Sequence, residues 1–143
     1  DQFFPQALAN IAWSLATRQV KDGPLLEAVS AKSIATMSEF GHQNISNMLW
    51  ALATLQHRDD RLLDAIAATA SGRIAAFPVQ ELVNSCWALG RLNYAGGPLV
   101  SALTAAARAR TSSYRARDLA NTAWACARMR NADAELMGGI IAA

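Results

Sequence analysis

Apolar and polar positions recur along this chain with two superimposed periods. Between residues 6 and 18, apolar side chains fall at Leu8, Ala12, Leu15 and Ala16, the i, i+4, i+7, i+8 spacing of one helical face. The spacing predicts a helix A over Gln6–Arg18, and a second block (Leu25, Leu26, Val29, then Lys32 and Ser33) predicts a helix B over Pro24–Met37. The longer period is 37 residues: Leu8 returns as Ile45, Leu82 and Leu119, and Leu25 returns as Leu62, Leu99 and Leu136. Each round opens on an aromatic residue (Phe3, Phe40, Phe77, Tyr114) and carries a small residue late in helix A (Ala16, Ala53, Gly90, Ala127). No segment alternates as a strand would.

The expected fold is therefore all-α. A pair of helices this short cannot bury its apolar stripe alone, so neighbouring pairs must stack into an α-solenoid of antiparallel helix pairs. The chain 1–143 is expected to form one array, with repeats at 3–39, 40–76 and 77–113 and an incomplete one at 114–143. Because a finished solenoid needs polar capping helices, the expectation is a piece of a longer array. The segments "VKDGP", "HRDDR", "YAGGP" and "NADAE" join A to B. Pro24 and Pro98 suit a first helical turn, and Asp59 or Asp60 can cap one.

All four tryptophans lie three residues after an asparagine, in "NIAW", "NMLW", "NSCW" and "NTAW". Trp13, Trp50, Trp87 and Trp124 are expected on the flank of helix A as structural wedges between repeats, the alternative being stacking on bases. Asn10, Asn47, Asn84 and Asn121 fall opposite the apolar face, beside Ser14 and Thr17 and their equivalents. Either they hydrogen-bond to the next repeat, the favoured expectation, or they make a uniform contact with a phosphate or sugar. Residues that read bases must vary, and the columns that do so are Ala7/Asn44/Glu81/Asp118, Ile11/Met48/Ser85/Thr122, Thr17/Thr54/Arg91/Arg128 and Gln6/Gln43/Gln80/Arg117. Amides, carboxylates and hydroxyls bond base edges, and Arg stacks or holds phosphate.

Charge sharpens this picture. The net +2 divides unevenly: residues 1–90 hold six Lys/Arg against eight Asp/Glu, whereas residues 91–130 hold seven Arg against Asp118 alone. Arg108, Arg110, Arg115 and Arg117 bracket the loop "RARTSSYRAR" and, with Arg91 and Arg128, are expected to form a basic strip for an anionic partner.

Other chemistry finds little footing. The chain is 52% hydrophobic and 17% charged, enough for a core, yet no stretch of 18 apolar residues exists to cross a membrane. No basic-then-apolar leader is visible. Cys86 and Cys126 sit in apolar helix A columns and read as small core residues, and His42 and His57 lack partners at metal-ligand spacing. No catalytic residue, metal or cofactor is expected, and the chain is not expected to be an enzyme.

The cores "QALANIAWSLA", "QNISNMLWALA", "QELVNSCWALG" and "RDLANTAWACA" resemble helix A of octotricopeptide and heptatricopeptide repeats, a Leu-x-Asn-x-x-Trp-Ala motif that also precedes RAP domains. The algal family's proline-rich segment is missing here, and no RAP domain accompanies the repeats. The resemblance implies an organellar RNA-binding solenoid of the mitochondrion or chloroplast, acting in transcript processing, stability or translation. Its partner would be single-stranded or ribosomal RNA, held on helix A faces. The rival expectation is a scaffold subunit that contacts other proteins of a large organellar assembly, such as a ribosome or photosynthetic complex, and the acidic balance of residues 1–90 favours it.

Overall fold

The computed structural model describes residues 3–130 and 133–143, with the Phe3 side chain and the "NA" of "NADAE" (residues 131 and 132) outside the described part. Its described residues form eight α-helices and no strand: α1 (Phe3–Thr17), α2 (Gly23–Ala35), α3 (His42–Leu55), α4 (Asp60–Ala70), α5 (Val79–Arg91), α6 (Gly97–Arg108), α7 (Ala116–Arg128) and α8 (Ala134–Ala142). The odd-numbered helices pack on one another in chain order, α1 on α3, α3 on α5 and α5 on α7. The even-numbered ones do the same, α2 on α4, α4 on α6 and α6 on α8, with the odd row in closer contact.

Small side chains explain that closeness. Ala12, Ala16, Ala51, Ala53, Ala88 and Ala125 are almost wholly buried, so helix axes approach with little side-chain bulk between them. Gly90 is the limiting case: a Cβ there would stand 2.9 Å from the Ala125 Cα of α7 and 3.1 Å from its Cβ. Ala127, in the same column, is exposed, and among the described residues only α5 of the odd-numbered helices packs on α7. The core then fills with Leu, Ile and Met from both rows, including Ile45, Leu49, Leu63, Ile66, Leu82 and Leu99. A second, smaller cluster gathers Val83, Ala107, Tyr114, Cys126 and Leu136 around α7 and α8.

Helix ends are built alike. Gln19, Gln56, Asn93 and Arg130 all adopt the left-handed conformation, with φ of 54°, 52°, 53° and 53°. The Gln56 N–H donates to the Ala53 carbonyl and the His57 N–H to that of Leu52, the paired bonds that close a helix. The same pair forms after α1 (Gln19 to Ala16, Val20 to Leu15) and after α5 (Asn93 to Gly90, Tyr94 to Leu89). Three even-numbered helices, α2, α4 and α8, start on Asp22, Asp59 and Asp133, whose carboxylates accept from the N–H groups of Leu25, Leu62 and Leu136 at 3.0, 3.2 and 2.8 Å, whereas α6 starts on Gly96 without a side-chain cap. Asp59, not Asp60, caps α4. Burial raises the Asp59 pKa, but hydrogen bonds from the Ser30 hydroxyl and the Leu62 amide, with Arg61 nearby, outweigh this and hold it below the usual carboxylate range.

Two boundaries differ from expectation. Helix A begins earlier, at Phe3, and helix B stops at Ala35. Thr36 leaves the helical region (φ −116°), and Met37–Glu39 winds into a 3-10 turn that brings Phe40 back into the core. Ile74–Ala76 and Thr111–Ser113 do the same before Phe77 and Tyr114. Arg73 and Arg110 fasten these turns: Arg73 Nη2 donates to the Phe40 carbonyl at 2.9 Å, and Arg110 donates to the carbonyls of Phe77 and Ala75.

Replacing Gly90 with Ala tests the close approach. Alanine is worth about 1 kcal/mol more than glycine inside a helix, but backbone atoms of α7 cannot yield as a side chain would. The expected net effect is a loss of about 1–3 kcal/mol, read as a lower midpoint in thermal or urea unfolding. A raised midpoint would contradict the packing described.

Candidate nucleic-acid interface

On a helix, residues 6, 10, 13 and 17 (i, i+4, i+7, i+11) fall within a narrow stripe. In α1 this stripe is Gln6, Asn10, Trp13 and Thr17, all exposed. Its counterparts are Gln43, Asn47, Trp50 and Thr54 on α3, Gln80, Asn84, Trp87 and Arg91 on α5, and Arg117, Asn121, Trp124 and Arg128 on α7. Because the odd-numbered helices lie side by side, the four stripes form one surface with a row of amides next to a row of indoles.

Trp50 and Trp87 pack against the core, and Trp13 and Trp124 stand further out. Trp13 is 47% exposed and Trp124 41%, while Trp50 and Trp87 are half-buried. The difference follows from position, since α3 and α5 have odd-numbered neighbours on both sides and α1 and α7 on one. The rings still touch across helices, with Trp13 and Trp50 centroids 6.4 Å apart at 33°. Arg91 lies over Trp87 at 5.9 Å and Arg128 over Trp124 at 5.8 Å, within cation–π range.

The asparagines also depart from the favoured expectation. Among the described residues, Asn10, Asn47 and Asn121 make no side-chain hydrogen bond, and Asn84 accepts from Gln80 Nε2 of its own helix at 3.0 Å. No side-chain bond from them to a neighbouring helix forms among the described residues; Asn10 is exposed and Asn47, Asn84 and Asn121 are half-buried.

Several expected readers have other duties. Asp118 accepts from the Arg115 N–H at 3.1 Å and so caps α7. A Glu81 carboxylate oxygen lies 2.5 Å from His42 Nδ1 on the adjacent helix. The Thr17 hydroxyl donates to the Ser14 carbonyl at 3.0 Å, and the Thr54 hydroxyl is buried without a partner. Met48, Ser85 and Thr122 are buried, which removes their column from any contact surface; Ile11 alone is exposed. Gln6, Gln43, Arg115 and Arg117 are exposed and Asn44 is half-buried.

The basic strip dissolves at its centre. Arg108 pairs with Glu135 at 2.7 Å and with Asp133 at 3.5 Å, and Arg110 is spent on backbone carbonyls. Arg91 and Arg128 instead belong with Lys21 and Arg58, which sequence reasoning passed over and which line cavities at the C-terminal ends of the odd-numbered helices. Their signal was legible only in part: Lys21 and Arg58 stand 37 residues apart, but in a linker whose third and fourth copies carry alanine.

The stripe offers indole faces for stacking, amides for hydrogen bonds and guanidinium groups for phosphate. The cysteines offer nothing of the kind. Burial, with Cys126 adjacent, pushes the Cys86 thiol up to about 12, and burial with Asp133 nearby pushes Cys126 up to about 11.

Fold and surface together define an all-helical protein that displays an aromatic and amide ladder on one helical row. A family model described as RNA-editing substrate-binding complex 6 protein matches residues 1–134, and the chain belongs to that family. This overturns the resemblance to octotricopeptide and heptatricopeptide repeats. The shared Leu-x-Asn-x-x-Trp-Ala core states only that a helix buries one side against small residues and shows amide and indole on the other. Helices of different families meet that requirement alike. No curated protein matches the chain at a significant level.

With both thiols buried and held protonated, neither cysteine should react with a thiol reagent at pH 8 in the folded protein. Both should react at once in denaturant. Fast labelling of the native state would contradict their placement.

Proposed function

We propose that this chain is a single-stranded RNA-binding component of an RNA-editing complex, holding its RNA on the surface of α1, α3, α5 and α7. The observation that carries this reading is the four-fold stripe of Gln/Arg, Asn, Trp and Thr/Arg, whose Asn10, Asn47 and Asn121 amides have no hydrogen-bond partner among the described residues. The family's description names an RNA-editing substrate-binding complex, and its RNA is the substrate class that such a surface fits. In this reading the chain binds and positions RNA and is not an enzyme. Other proteins of the complex are its further partners. The organelle narrows to the mitochondrion, and the chloroplast falls away with the resemblance that introduced it.

The finer architecture belongs to the same proposal. The chain is an α-solenoid of 37-residue helix pairs in one array, 3–39, 40–76, 77–113 and 114–143. The packing order of the two helical rows supports this, as do the left-handed residues Gln19, Gln56, Asn93 and Arg130 in one register. No helix of the described residues is long and apolar enough to cross a membrane.

Trp13 and Trp124 are exposed enough to replace without opening the core. Trp13→Ala with Trp124→Ala should weaken binding to single-stranded RNA by at least about tenfold, since stacking contributes about 1–3 kcal/mol per base. Fluorescence anisotropy with labelled RNA reads this, and a duplex of equal length should compete poorly. Equal affinity of wild type and variant would remove the ladder from the binding surface.

A further inference from the structure

Two cavities lie side by side at the C-terminal ends of the odd-numbered helices. The first, about 370 Å³, is lined by Gln19, Lys21, Thr54, Leu55, Gln56, Trp87 and Arg91. The second, about 430 Å³, adds Arg58, Asn93 and Arg128 and shares Gln56 and Arg91 with the first. The shared residues make them one furrow, crossing the helix ends from α1 to α7. Its walls carry four cationic side chains and no carboxylate.

Those cations are not all spoken for. Arg58 is held, donating to the Leu92 and Asn93 carbonyls at 2.9 Å each and to Asp60 at 2.7 Å. Among the described residues, Lys21, Arg91 and Arg128 have no acidic partner. At the ends of α3 and α5, the Leu52, Ala53, Ala88, Leu89 and Gly90 carbonyls accept the bonds that close those helices, and those of Leu92 and Asn93 accept from Arg58.

The left-handed residues point the same way. Glycine takes that conformation freely, whereas Gln and Asn take it at a cost. Here Gln19, Gln56 and Asn93 occupy it, and all three line the furrow. Amide side chains stand where the backbone prefers none, a departure that invites a functional reason. The Thr54 hydroxyl, buried and without a partner, belongs to the same wall.

We propose that this furrow is the track for the phosphodiester backbone of single-stranded RNA. Lys21, Arg91 and Arg128 neutralise phosphates, and Gln56 and Asn93 donate to phosphate oxygens. The bases turn toward the neighbouring indoles, to which Arg91 over Trp87 and Arg128 over Trp124 form the link. The proposal rests on the RNA-binding reading above and gives it a strand path.

Two variants of the full chain test it, with single-stranded RNA as the probe. Gln56→Gly with Asn93→Gly removes two amides and relieves two left-handed residues. Its unfolding midpoint should rise or hold while its RNA affinity falls by about threefold or more, opposite signs that a purely structural role would not produce. Arg91→Gln with Arg128→Gln should lower the slope of log affinity against log salt by about 1.4, at roughly 0.7 per phosphate on a single strand. If wild type binds RNA and both variants keep its affinity and slope, the furrow is not the track and RNA binding stands without it. If wild type binds no RNA, both proposals fall.

Discussion

The close approach of successive odd-numbered helices governs the rest of the structure. Where α5 meets α7, Gly90 leaves no room for a Cβ, and buried alanines do the same work along α1 and α3. Helices brought this near align their outer faces as well as their inner ones. A residue chosen once per helix, such as Asn or Trp, then becomes a row across the molecule. The contact surface is thus a consequence of the packing seams that flank it.

Much of this was legible in the chain. The i, i+4, i+7, i+8 stripe of Leu8, Ala12, Leu15 and Ala16 gave helix A, and Leu25 and Val29 gave helix B, because burial on one side is what that spacing means. Helix ends were less legible. Asp59 and Asp60 are adjacent acids, and only the Leu62 N–H and the Ser30 hydroxyl distinguish the cap from its neighbour. The left-handed row escaped notice because Gln, Gln, Asn and Arg share no glycine to announce it.

The candidate surface was half-read. The spacing of Gln6, Asn10, Trp13 and Thr17 puts Asn and Trp on one stripe, but only the structure shows that Trp50 and Trp87 also pack against the core while Trp13 and Trp124 stand exposed. The asparagines' bond to the next helix does not form, and two of the four arginines around Tyr114, Arg108 and Arg110, are taken up by Glu135, Asp133 and two carbonyls while Arg115 and Arg117 stay exposed. Such partners depend on which chain segments meet in space, and charge counting along a sequence does not reveal them. The family resemblance failed for a related reason: a seven-residue motif encodes a helix with two faces, and that is common to more than one family.

What unites these observations is a division of labour within one helical row, whose flanks are built from small residues to pack and whose outer face is built from amides, indoles and guanidiniums to bind. Photo-crosslinking of thiouridine-substituted single-stranded RNA, with the crosslinked residues mapped by mass spectrometry, tests that division most directly. The account predicts crosslinks on the outer stripes of α1, α3, α5 and α7, centred on Trp13, Trp50, Trp87 and Trp124. Crosslinks confined to α2, α4, α6 and α8 would contradict it.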